Sequence, residues 1–259
     1  MVLAAALAPL LAPHPPLAHD LPNRLRPPWG FAAGDARHLL GTDDFGRDLL
    51  SRLLHGARYS LLVGFLSMGI ALLGGGVLGA AAGFAGRLAD VVLMRAVDVM
   101  LAFPAILLAI IIVALLGPSL GHAMLAVGVV GIPHVARLTR ATVMAELARD
   151  YVLAARAAGA GAPRVLLRGI LPNIAGPLAV QASLTFASAI VEAAGLSFLG
   201  LGAQPPLPEW GAMLNAGRPL LFRAWWVITF PGLAILLAGL AFNLLGDGLR
   251  DLLDPAGRR

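Results

Sequence analysis

Lysine and cysteine are both missing from this chain of 259 residues. All 19 of its basic residues are therefore arginine. Without lysine there is no P-loop, whose amine must sit beside the nucleotide phosphates, and no Schiff-base chemistry. Without cysteine there is no disulfide, no thiolate nucleophile and no thiolate metal site. Charge of either sign is scarce: 13% of residues are charged, against about a quarter in a soluble domain. Aromatics make up only 6%, and no arginine stripe alternates with them, which sets nucleic acid aside as a partner. Apolar side chains fill the gap, at 59% with a mean hydropathy of +0.84. The chain reads as an all-α integral membrane protein in a lipid bilayer, and its net charge of +5 as loop charge.

A bilayer core takes about 20 apolar residues per helix. Five segments approach that: Ser60–Phe84, Val91–Leu116, a shorter one over Ser119–Val135, Ile174–Leu201 and Trp225–Leu245. Met1–Ala12 is apolar but too short to cross. It has no positive leader of the kind a signal peptide carries, so it reads as the tail of a first membrane helix, short or truncated. No internal repeat is visible.

Residues 13–58 form a polar, proline-rich arm. Within it, Thr42 or Asp43 is placed to cap a helix. Leu49, Leu50, Leu53 and Leu54 then recur at helical spacing, giving an amphipathic helix that leads into the membrane. Pro205–Arg223 is a second polar loop, with Trp225 and Trp226 at the membrane edge, where indoles favour the interface. Arg137, Arg140, Arg149, Arg156, Arg164 and Arg168 cluster around residues 146–173, which places that stretch in the cytosol. Arg250, Arg258 and Arg259 place the tail, residues 250–259, there too. The arm then lies outside, and residues 59–249 form the membrane core.

The stretch Asp150–Asn173, DYVLAARAAGAGAPRVLLRGILPN, is the most informative. Tyr151–Ala158 favours helix. Gly159 and Gly161 are free to end it in left-handed backbone. Pro163 suits the first turn of a second helix, where no N–H is needed. Leu171-Pro172 should close that helix as the next span begins. The result is a short helical hairpin at the membrane surface. An ordinary basic cytosolic loop has the same composition, so the residues alone leave both readings open.

The elbow resembles the EAA loop of binding-protein-dependent ABC importer permeases: Glu-Ala-Ala, three residues, Gly, nine residues, then Ile-x-Leu-Pro. Here Ala154, Ala155, Gly159, Leu171 and Pro172 match, while Leu153 stands at the Glu position and Gly169 at the Ile position. Leu40–Gly64, Gly195–Leu214 and Trp225–Pro255 resemble, in order, the flanking segments of the peptide/nickel subfamily, closest to its second, C-type permease subunit. The resemblance implies a type I importer permease fold with five full membrane helices. It implies a coupling loop over residues 146–173 in which Tyr151, Arg156, Ala160 and Arg164 join the matched positions. Two separate ATPase subunits, a second homologous permease and an extracytoplasmic binding protein are the implied partners. The location would be a bacterial or archaeal cytoplasmic membrane and the cargo a dipeptide, an oligopeptide or nickel. ATP would be hydrolysed on the partner, so no catalytic residue and no cofactor is expected here.

Other residues carry weaker signals. Gly75, Gly79 and Gly83 lie four apart on one helix face, a spacing that permits close helix approach. Glu192 is an intramembrane acid, which must face protein or water. It either lines a pathway and meets a substrate amine or metal, or is satisfied by a neighbouring helix. Arg95 and Asp98 are spaced for an intrahelical pair. Pro104 and Pro133 should kink their helices, and Asn243 and Asp247 should cap or anchor the last span. The six histidines are scattered, His122 and His134 stand alone, and no metal site is expected. From the residues alone a self-sufficient carrier or channel, or a non-transporting scaffold, stays open. An intramembrane enzyme lacks a Ser/His pair or His/Asp cluster at workable spacing.

Overall fold

The computed structural model describes residues 2–253. Met1, and the part of the expected cytosolic tail with Arg258 and Arg259, lie outside the described residues. In chain order the helices are α1 (Val2–Ala6), α2 (Ala8–Leu11), α3 (Leu49–Phe84), α4 (Arg87–Leu101), α5 (Ala105–Leu116), α6 (Leu120–Leu147), α7 (Asp150–Ala157), α8 (Ala162–Arg164), α9 (Leu171–Phe198), α10 (Trp210–Gly217) and α11 (Trp226–Leu253). A π-turn, Val165–Ile170, joins α8 to α9. Among the described residues there is no strand.

Four helical runs are long and apolar enough to cross a bilayer: α3, α6, the run Ala162–Phe198 and α11. A fifth crossing exists if α4 and α5 count as one span, and these two are bent by 91°. The expected second span, Val91–Leu116, is therefore broken rather than kinked. Pro104 supplies the reason. It precedes α5 with extended backbone, ψ 130°, and its ring removes an N–H from the ladder. At 12 residues, α5 is about 18 Å long and cannot cross alone.

Two other expected boundaries move. The amphipathic helix and the first span are one helix of 36 residues, so the break placed at residue 59 falls inside α3. The third span continues past Val135 to Leu147, with Pro133 inside α6 and not ending it. The Arg95–Asp98 pair is replaced by a tie between helices: the Asp98 carboxylate accepts from Arg137 of α6 at 2.6 Å. Asp90 and Arg140 make a second tie between α4 and α6.

The arm is locally structured and locked onto the helices. The cap of α3 is Asp48, not Thr42 or Asp43: its Oδ2 accepts from Ser51 N at 2.8 Å. Asp43 is committed elsewhere, taking Arg47 Nε at 2.7 Å. Thr42 Oγ1 donates to the Asn23 carbonyl, and its own carbonyl receives the indole of Trp226 at 3.1 Å. Trp226 is therefore buried against the arm, whereas Trp225 stays exposed. Arg58 donates to the Ala5 carbonyl at 2.7 Å, fixing α1 to α3. At the surface, the Arg37 guanidinium holds the Asp35 carboxyl down to about 2. The loop expected at Pro205–Arg223 contains α10. Glu209 starts this helix by accepting from Gly211 N and Ala212 N, both at 2.9 Å.

The deepest packing is between α3 and α6. Gly75, Gly79 and Gly83 all face α6, toward Ile132–Val143. A second core joins Phe186, Ile190 and Trp210 to α11. Here Phe186 and Phe242 stack with ring centroids 3.6 Å apart.

Candidate functional site

Two regions draw the candidate residues together: the elbow between α6 and α9, and a cavity along α9. The elbow is built by local chemistry. α7 opens on Asp150 and closes on Arg156, charges that complement the helix dipole at each end. Its exit has the two bonds of a Schellman motif. Gly159 N donates to the Arg156 carbonyl and Ala160 N to the Ala155 carbonyl, both at 3.0 Å. Gly159 takes the left-handed position this requires, with φ +82°. Gly161 does not, having extended backbone at φ −66°. Pro163 sits in the first turn of α8. Leu171-Pro172 does not end the helix: it continues through the π-turn into α9, so Pro172 lies inside a continuous helix and its ring removes one N–H from the ladder.

The inner side of the elbow is apolar. Val152, Val165, Ile170 and Ile174 are buried with Ala80 of α3 and Val143 of α6, and Ala155, Ala160 and Leu171 pack against them. The hairpin is thus clamped between the ends of three membrane helices. Its outer side presents Leu153, Ala154, Arg156, Gly159 and Arg164, all exposed. Tyr151 anchors the start, its hydroxyl donating to Glu146 Oε2 at 2.8 Å. Partial burial, and after it the Glu146 carboxylate, raise the Tyr151 phenol above its ordinary range.

Glu192 lies where two cavities meet. The first, of about 340 Å³, is bounded by α3, α5, α6 and α9. Its polar lining is Ser67, His134, Gln181, Thr185, Ser188 and Glu192. The second, of about 440 Å³, lies between α9 and α11 and shares Ser188 and Glu192. Asn243, expected as a cap or anchor, lines this second cavity. No protein hydrogen bond to the Glu192 carboxylate is found among the described residues, and the residue borders both cavities. Ser67 is partly occupied, donating to the Met124 carbonyl at 2.9 Å.

Sequence reasoning singled out Glu192 but missed its companions. Gln181, Thr185, Ser188 and Glu192 follow spacings of four, three and four, which is one face of a helix. A polar stripe inside an apolar span was therefore legible. His134 and Ser67 reach the cavity from other helices and had no such signal. The histidines are also less scattered than expected, since His14 and His38 converge on Asp48. His122 instead bonds locally, Nδ1 to the Gly117 carbonyl at 2.8 Å.

Comparison with known proteins agrees with this architecture. Residues 75–259 match the family described as binding-protein-dependent transport system inner membrane component. The chain is 54% identical over 255 residues to the di/tripeptide transport system permease protein DppC of Pseudomonas aeruginosa (strain UCBPP-PA14), covering 98% of this chain and 84% of that protein. It is equally 54% identical over 255 residues to the dipeptide transport system permease protein DppC of Escherichia coli (strain K12), covering 98% and 85%. In structure it is similar to a chain of the inward-facing MetNI methionine ABC transporter, with a TM-score of 0.65 at 18% identity over 80% of this chain and 98% of that one. A chain of an amino acid ABC transporter gives a TM-score of 0.58 at 16% identity, covering 78% and 94%. The fold is that of the type I importer permeases, and the chain belongs to the inner-membrane permease components of binding-protein-dependent ABC importers.

Proposed function

We propose that this chain carries di- or oligopeptides across a bacterial or archaeal cytoplasmic membrane, driven by ATP hydrolysis on separate subunits. The observation that supports this best is the single helical run from Ala162 to Phe198. One end of the run is the elbow and the other holds Glu192 and its polar stripe. A push on the elbow therefore moves the cavity wall, with no loop between to absorb it. The exposed face of Leu153, Ala154 and Arg156 seats in a groove of an ATPase subunit, and Gly159 lets the hairpin close tightly enough to enter. Two ATPases, a second homologous permease and an extracytoplasmic binding protein complete the importer. The arm of residues 13–58 lies on the extracytoplasmic side, and residues 250–259 on the cytosolic side.

The cavity chemistry supports a peptide. A zwitterionic peptide needs a counter-charge for its ammonium group and donors and acceptors for its amides. Glu192 offers the first, and Gln181, Thr185 and Ser188 the second. The names of both 54%-identical relatives include dipeptide or di/tripeptide transport.

Two experiments test this reading. Purification from native membranes should recover two ATPases and a second permease. Transport by the purified chain alone, without ATPases, would refute the proposed division of labour. In the complete importer, Glu192→Gln keeps the shape and removes the charge. Hydrogen bonds to a charged group are the stronger kind, so dipeptide uptake should fall by roughly tenfold while ATP hydrolysis stays near the parent rate. Unchanged uptake would remove Glu192 from the pathway.

A further inference from the structure

We propose that His14, His38 and Asp48 form a binding site for a borderline divalent transition-metal ion, with zinc as the reference case. All three lie in the arm, well apart in sequence: His14 just after α2, His38 midway, and Asp48 at the cap of α3. Their ligand atoms all lie within 4.8 Å of one another. His38 Nδ1 is 3.0 Å from Asp48 Oδ1, and His14 Nδ1 is 3.8 Å from the same oxygen. Zinc holds nitrogen and oxygen ligands at about 2.0–2.2 Å in tetrahedral array, so ligand atoms in such a site stand roughly 3.3 Å apart. The two histidine–aspartate spacings bracket that value, and the two imidazoles, within 4.8 Å of each other, would draw together on binding.

The groups are held in place from behind. Asp48 Oδ2 is committed to the helix cap, accepting from Ser51 N at 2.8 Å and Ser51 Oγ at 2.7 Å. That leaves Oδ1 to the imidazoles. His14 N donates to Ser51 Oγ at 3.1 Å, and the two rings stack with centroids 4.8 Å apart. The nearby guanidiniums do not compete, since Arg47 and Arg52 both turn to Asp43, at 2.7 and 3.6 Å.

Burial separates a metal site from a plain hydrogen-bonded pair. The Asp48 side chain is 1% exposed and that of His38 8%. His14 Nδ1 is buried and has no hydrogen-bond partner. A His38–Asp48 bond satisfies one pair and leaves that nitrogen stranded, which is unfavourable. A cation satisfies all three atoms at once. The His14 side chain is 35% exposed, so solvent can supply a fourth ligand. Two imidazoles select against magnesium and calcium, which take oxygen. None of the three residues lines the Glu192 cavity, so the ion would be a fixed brace of the arm and not cargo. This inference does not depend on the transport reading.

The test uses the full chain, purified without a histidine tag together with its accompanying subunits and stripped with a chelator. Zinc titration should give one equivalent per chain, magnesium none, and cobalt(II) the intense visible bands of a tetrahedral site. His14→Ala and His38→Gln should each weaken zinc at least tenfold, as losses around a metal centre do. In the unsubstituted chain, zinc should also protect His14 and His38 from diethylpyrocarbonate, a readout that survives if a variant misfolds. Zinc uptake that ignores both substitutions, absence of stoichiometric zinc, or failure to protect the two rings would overturn the proposal and leave a hydrogen-bonded pair beside a stacked ring.

Discussion

On the proposed transport reading, a Gly159→Val importer should assemble and hydrolyse ATP while its uptake falls by roughly tenfold. The elbow turns on Gly159 at φ +82°. Left-handed backbone costs an L-residue about 1–2 kcal/mol, and a β-branched side chain more. Nothing lies within 4 Å of a Cβ built at this position, so the penalty is one of backbone and not of collision. The hairpin must open or lose the bonds to Ala155 and Arg156, and the face offered to the ATPase shifts. Gly117 provides the control. It too has positive φ, +92°, and open space around its Cβ, but it ends α5, away from the elbow. At φ 92°, ψ 153° Gly117 occupies a region that is essentially glycine's alone, so Gly117→Val should cost at least as much stability while leaving uptake per assembled complex close to the parent. If Gly159→Val transports normally, or if both variants lose uptake equally, the elbow does not couple as described.

A Gly75→Val chain should scarcely accumulate, while Gly76→Val, one residue on, is tolerated. A Cβ at Gly75 would stand 2.5 Å from Val135 Cβ, 2.7 Å from the Ile132 carbonyl oxygen and 2.9 Å from Ala136 N. Two of those neighbours are backbone, so no rotamer change relieves the clash and α3 must move off α6. Overpacking of this kind costs about 3 kcal/mol, a large part of a typical folding margin of about 5–15 kcal/mol. At Gly76 a Cβ meets nothing within 4 Å. Immunoblots of membranes and thermal aggregation of the extracted protein compare the two. Equal accumulation would mean that α3 and α6 are not packed at this register.

The elbow was readable from sequence because local chemistry builds it. Gly159 and Pro163 each act through their own φ or missing N–H, whatever surrounds them, whereas Pro172 does not end its helix as expected. The long apolar runs were readable for a similar reason, since the bilayer imposes one length on every span. Choices settled by distant partners were not readable. Thr42, Asp43 and Asp48 are all good capping residues, and Asp48 caps α3 while Arg47 occupies Asp43. Asp98 had Arg95 one turn away but pairs with Arg137, because α4 lies against α6 in the fold. The eight residues of α10 hid in a proline-rich stretch because their cap, Glu209, also accepts from Ser60 Oγ of α3, 149 positions earlier. The cavity was half visible: its α9 wall follows helical spacing, while His134 and Ser67 meet it only through packing.

The helical run Ala162–Phe198 has 37 residues and so extends about 55 Å, well beyond the roughly 30 Å of hydrocarbon. A beam of that length, pivoting where the lipid grips it, carries its two tips in opposite senses. A tilt of about ten degrees displaces each tip by roughly 5 Å, close to the width of one peptide strand. If the elbow couples as proposed, drawing it one way would swing Glu192 the other, and one stroke would narrow one mouth of the pathway as it widens the opposite mouth. Reciprocal opening then needs no separate gate, since it follows from geometry as the rise of one arm of a balance follows the fall of the other.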